Sequence, residues 1–165
     1  MDADLRKHVV YLLEDGGAHI SFKDVVADFK EEDINKKPTN VSYSFYALVE
    51  HLRITQKDIL DFCINPDYKE LEWPHEYWPA KNKKATMAEW NESIASFQKD
   101  LKAMIKLVKD EKTDLFAKIP WGSGQTILRE AMLVADHNSY HIGELGILRQ
   151  VANTWPEGTN NYSNI

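Results

Sequence analysis

Apolar positions along the chain recur at helical intervals. Between 44 and 63, Leu48, Leu52, Thr55, Ile59 and Phe62 follow a 4-3-4-3 spacing, a core-facing seam on one side of a helix. Between 86 and 110, Trp90, Ile94, Phe97, Leu101, Met104, Ile105 and Val108 repeat in the same way, and Thr86 with Glu89 reads as a capping box at the start. The stretch 126–152 has no proline and is long enough for about seven helical turns. Within it Ile127, Val134, His141 and Leu148 are spaced by seven, with Ala131, Asn138 and Leu145 in the neighbouring row. A shorter face, Leu5, Val9, Leu12 and Leu13, predicts a helix over 3–14 that Gly16-Gly17 ends or kinks. Ser21 followed by Asp24 predicts a capped second piece over 22–29. The two pieces together make a broken first helix. No stretch alternates long enough to argue for a strand.

Between these segments the pattern lapses. Residues 31–43 read as a polar loop around Pro38, and Asn65-Pro66 stops the second long helix. Residues 65–85 hold three prolines with Trp73, Tyr77 and Trp78, and read as a long connection covering one end of the molecule. Residues 113–125 form a turn-rich loop, and the tail after Trp155-Pro156 reads as a loosely tied extension. The expected fold is all-α, an antiparallel four-helix bundle with a long crossover between helices 2 and 3. At 165 residues it is expected to form a single domain over 1–165.

Two positions break the apolar pattern in a way that suggests chemistry. His141 stands in the seam where a leucine is expected, and His137 lies one turn earlier on the same helix face. His51 falls about 60° from the centre of its own seam, at the border of the core. A lone histidine in such a place is most often a hydrogen-bonded core residue. A pair at i and i+4 is different: both rings are desolvated at one depth, which disfavours two adjacent charges, and a divalent cation held between neutral rings removes the conflict. Asn138 stands where a zinc protease has its glutamate, so that reading is disfavoured. Glu130 and Glu144 share a polar row with His137. They are candidates for orienting an imidazole or acting as base, against the blander reading of solvated face residues. His19, Tyr140 and Trp78 are read as loop or packing residues, and His8 and His75 as surface residues.

Bulk properties narrow the class. The chain is 43% hydrophobic and 28% charged, as in ordinary globular proteins, with a net charge of −6. That balance argues against nucleic acid or an anionic membrane surface as partner. No run reaches the length of a membrane span, and the first residues do not read as a secretory signal, so the cytoplasm is the expected location. The single cysteine, Cys63, reads as a buried, inert thiol.

E-H-L-R-I-T-Q-K-D-I-L-D-F around His51, Y-W-P at 77–79 and Q-T-I-L-R-E-A-M-L-V-A-D-H-N-S-Y-H-I-G-E-L near the end resemble the DinB-like (DinB/YfiT) superfamily, as does G-G-A-H-I-S-F early in the chain. The resemblance implies a four-helix bundle. It also implies a metal site of one histidine from the second helix and an H-x-x-x-H pair from the fourth, which fall on His51, His137 and His141. It further implies a divalent metal such as nickel or zinc, and often a homodimer. Activities among similar proteins include transfer of low-molecular-weight thiols and a maleylpyruvate isomerisation. The expected protein is therefore a metal-dependent transferase or hydrolase acting on a small molecule. A non-catalytic, stress-related dimeric scaffold is the alternative.

Overall fold

The computed structural model of the chain describes residues 2–14 and 17–156. Among them it is all-helical, with an isolated bridge between Lys118 and Thr126 and no strand. Four helices are long: α1 (Asp2–Glu14), α4 (Phe45–Ile64), α5 (Met87–Lys109) and α6 (Ile127–Val151). Two single-turn helices, α2 (Phe22–Val25) and α3 (Glu31–Ile34), lie between α1 and α4.

The starts of these helices are set by local chemistry. Ser44 Oγ accepts from Ala47 N–H at 3.2 Å and Thr126 Oγ1 from Arg129 N–H at 3.2 Å, each satisfying a donor that the first turn leaves open. Thr86 and Glu89 form the full capping box. Ser21 caps α2 as expected, but that helix ends at Val25 instead of continuing to 29, and the chain turns at Asp28 with φ 56°. Residues 31–34, expected as loop, form α3. Its Ile34 is fully buried, and that anchor is what a polar reading of the stretch misses. In α1 the buried face is Val9, Val10 and Leu13, whereas Leu12 is 48% exposed, so the apolar stripe lies one position off the expected one. Gly17 turns the chain at φ +60°; Gly16 and the tail 157–165 lie outside the described residues.

α4 packs against both α5 and α6, α1 packs against α5 and α6, and α2 rests on α6. The core falls into two clusters. The first takes Phe45, Leu48, Val49 and Leu52 from α4 and Ile142, Leu145 and Leu148 from α6. The second takes Ile59, Leu60 and Cys63 from α4 and Ile127, Ala131, Val134 and Ala135 from α6. Between them, along both helices, the buried positions turn polar: Thr55 and Gln56 on α4, Asn138 on α6. Asn138 Nδ2 donates to Gln56 Oε1 at 2.8 Å, and Gln56 Nε2 donates to the Phe97 carbonyl on α5 at 2.7 Å. A polar layer inside a core is stable only when its groups are paired in this way. The Cys63 thiol is buried and desolvation pushes it up to about 12, the inert state expected of it. Among the described residues no helix is long and apolar enough to cross a membrane.

A candidate metal centre between two helices

The three histidines meet where the polar layer lies. His51 on α4 is 3% exposed, and its ring stands 5.1 Å from that of His137 and 4.9 Å from that of His141, centroid to centroid. The rings of His137 and His141 are 4.6 Å apart. One nitrogen from each lies within 4.8 Å of the other two.

Two of the rings have their protons placed by their neighbours. His51 Nδ1 is 2.7 Å from the Tyr77 carbonyl oxygen, which can only accept, so Nδ1 carries the proton and Nε2 of the neutral ring carries the lone pair. The Trp78 ring lies flat on His51 at 4.1 Å and 1°, holding the ring plane. His141 Nδ1 donates to Glu144 Oε2 at 2.6 Å, and Tyr43 Oη donates to Glu144 Oε1. Burial works to raise the Glu144 carboxyl, but the bonds from His141 and Tyr43 outweigh it and hold it below its ordinary value, as a carboxylate. His141 Nε2 is then the free nitrogen of that ring.

His137 is the unsatisfied member. Its Nδ1 is buried without a partner, and its Nε2 faces His51 Nε2 at 3.3 Å. Burial, then the neighbouring His141 and His51, push it down to about 3. Burial likewise lowers His51, opposed by its bond to the Tyr77 carbonyl. Neutral rings then face each other across a short gap. Either His137 donates through Nε2 and its Nδ1 lone pair is stranded, or two lone pairs oppose each other. Two imidazole nitrogens bound at about 2.0–2.1 Å to one tetrahedral ion would themselves lie about 3.3–3.4 Å apart. The observed spacing, the neutral rings and the all-nitrogen donor set fit a divalent transition-metal ion.

A cavity of about 610 Å³ opens beside His137, and Thr55, Asp58, Tyr77, Arg129 and Glu130 also line it. Asp58 on α4 accepts from Tyr68 Oη at 2.9 Å and Tyr77 Oη at 2.7 Å, tying the proline-rich connection to the helix. Tyr77 therefore reaches α4 twice, through its phenol and through its carbonyl. Glu130 is 2% exposed, and its Oε1 accepts from Arg129 Nη1 at 2.7 Å. Both acidic candidates are thus engaged and half-buried or buried, not solvated: Glu144 behind His141, Glu130 on the cavity wall with His137. Glu50 is held by Arg53 and Ser93 away from the rings, and Asp136 is exposed. His19 bonds Ser139 Oγ at 3.1 Å, a loop contact as expected, and His8 and His75 are exposed.

Two functional contacts escape sequence reasoning. Tyr43 sits in what reads as polar loop, and the Tyr77 carbonyl is a backbone group that no residue identity signals. Comparison with family models, curated proteins and solved structures gives no match for the chain.

Proposed function

We propose that this chain is a divalent-metal enzyme of the DinB-like kind, with His51, His137 and His141 as its ligands and a small molecule as its substrate. The observation that carries the reading is the meeting of the three imidazoles, with His51 and His137 nitrogens at 3.3 Å and no proton arrangement that satisfies both rings. An antiparallel four-helix bundle is the matching architecture. It is supported by the order of the two core clusters, met first-to-second along α4 and second-to-first along α6.

Three histidines leave a coordination position open, the layout of a catalytic centre rather than a closed structural one. Nickel and zinc both suit all-imidazole ligation. The ion supplies Lewis acidity, able to activate a water or a thiol. The chain's own groups do the rest. The Tyr77 carbonyl and Trp78 orient His51, Glu144 orients His141, and Glu130 is the carboxylate placed on the cavity wall to take a proton from a bound substrate. Transfer of a small thiol is the leading reaction, with hydrolysis next. The net charge of −6 speaks against nucleic acid as partner. A cytoplasmic location is part of the proposal.

The test is metal analysis of protein loaded with nickel or zinc and then desalted. Roughly one equivalent is expected in wild type, and less than about a tenth of that in His51→Ala, His137→Ala and His141→Ala. Equal metal content in wild type and all three variants would overturn the reading.

One observation favours the alternative of a non-catalytic, dimeric scaffold. α6 exposes Met132, Tyr140, Ile147 and Val151 at 55%, 71%, 63% and 60%, an outward apolar stripe suited to a second copy. A homodimer is compatible with either role. Chelation separates them: loss of a structural ion costs several kcal/mol of folding stability, whereas a catalytic centre gives up its ion with little change in melting.

A further inference from the structure

The walls of the cavity beside His137 offer acceptors and almost no donors. Asp58, Glu70 and Glu130 bring three carboxylates and Arg129 the single cation, and that guanidinium donates to Glu130. The phenol protons of Tyr68 and Tyr77 are committed to Asp58, and burial first, then that bond, raises both phenols so that they stay protonated. Gln125 presents its oxygen to the Ser123 backbone N–H at 2.8 Å. An anionic ligand finds nothing to bond along this wall. A cation finds carboxylates and, between them, aromatic faces: Trp73 and Tyr77 lie 5.4 Å apart at 58°, open to the cavity. Ammonium groups are held by this combination of ring faces and carboxylates. The volume suits a small organic molecule.

We infer that this cavity binds small organic cations, with an ammonium group seated among Trp73, Tyr77, Asp58 and Glu70 and the rest of the molecule directed toward His137. The inference deepens the proposed function by naming the class of molecule the same cavity takes. It rests on that reading only for which end of the ligand reacts. An amine carrying a thiol or other electron-pair donor at its far end meets both halves of the site.

The experiment uses the full chain, freed of metal, and calorimetric titration with three ligands of one size: benzylamine, benzyl alcohol and benzoate. Benzylamine is expected to bind at least about tenfold more tightly than benzyl alcohol, the range a desolvated cation–ring contact with a carboxylate supplies. Benzoate is expected to give no saturable heat. Glu70→Gln changes an exposed side chain without altering its shape, and is expected to weaken benzylamine at least about threefold while leaving benzyl alcohol unchanged. Benzoate or benzyl alcohol matching benzylamine would overturn the inference. So would absence of benzylamine binding in protein whose circular dichroism is fully helical. Nickel stoichiometry measured on the same preparation keeps the two readings apart. Nickel bound without a preference for the amine removes this inference alone; the amine preferred without nickel removes the metal reading alone.

Discussion

α6 buries basic side chains in two places, and the chemistry around them is opposite. At its C-terminal end Arg149 is fully buried. Its Nη1 donates to the carbonyls of Val25 at 3.0 Å and Ala27 at 2.8 Å, and its Nη2 to that of Thr154 at 2.8 Å. The guanidinium carbon lies 4.2 Å from the Phe29 ring centroid and 3.9 Å from that of Trp155. Burial lowers it to about 10, still charged at neutral pH. Two turns and more toward the N-terminus, His137 is driven to the neutral form and left with a stranded nitrogen. A guanidinium has only donors, and backbone carbonyls with no helix partner accept nearly all of them, so it works as a staple between α6 and the α2 region. Imidazoles carry lone pairs, and here those lone pairs face one another. Burial that is answered by partners makes structure; burial left unanswered at a shared point leaves room for a ligand.

The largest effect expected from this contrast is at the staple. Arg149→Met removes the only side-chain donor to the Val25 and Ala27 carbonyls and should cost about 3 kcal/mol or more in urea unfolding, with no change in metal stoichiometry. Arg149→Lys should recover little, because one ammonium does not span carbonyls on both sides of two rings. A loss below about 1 kcal/mol would mean that the α2 region is not held by this residue, and the comparison would lose one of its sides.

The contacts behind the triad should behave in the reverse sense, touching the ion more than the fold. Glu144→Gln keeps the shape but weakens the acceptor of His141 Nδ1, and should lower nickel affinity about 10–100-fold. Tyr43→Phe removes the donor on the far side of that carboxylate and should lower it by a smaller factor in the same direction. Isothermal titration with nickel reads both. If either variant loses stability by more than it loses nickel affinity, Glu144 belongs with Arg149 as a structural group.

This division also explains what was legible in the sequence. His137 and His141 announce themselves because helical period alone puts i and i+4 on one face, and His51 because its offset from the seam is local arithmetic. The all-helical class follows from the same periodicity. Arg149 gives no such signal: in L-G-I-L-R-Q-V-A it reads as a charge in the last turn of a helix, where solvent is the usual neighbour. Its partners are carbonyls over a hundred residues earlier and a tryptophan beyond the helix end, so its burial is set by tertiary approach. Glu130 and Tyr43 fail for the same reason. Leu12 fails for another: α1 has four apolar candidates within nine residues, and which of them face inward depends on how the helix is rolled against α5 and α6.

The smallest and most diagnostic effect is at His137 in the metal-free protein. His137→Leu removes a polar ring with one stranded nitrogen and fills the space with carbon. It should change stability at pH 7 by less than about 1 kcal/mol, or raise it, because no satisfied partner is lost. Acid should then separate the two proteins. Folded His137 titrates near 3 and the unfolded ring near 6.5, so between these values the unfolded chain binds more protons. The favourable state is fully present above about 6.5 and is lost as pH falls toward 3. Wild type should therefore weaken more steeply than the leucine variant below pH 6.5, by at most about 1.4 kcal/mol per unit, reduced by whatever solvent reaches the ring. Carboxylates titrate alike in both proteins and cancel in the difference. Two urea midpoints that fall in parallel from pH 7 to 4.5 would show that His137 is not held neutral by its surroundings, and the facing nitrogens would then be an ordinary hydrogen bond between a charged ring and a neutral one.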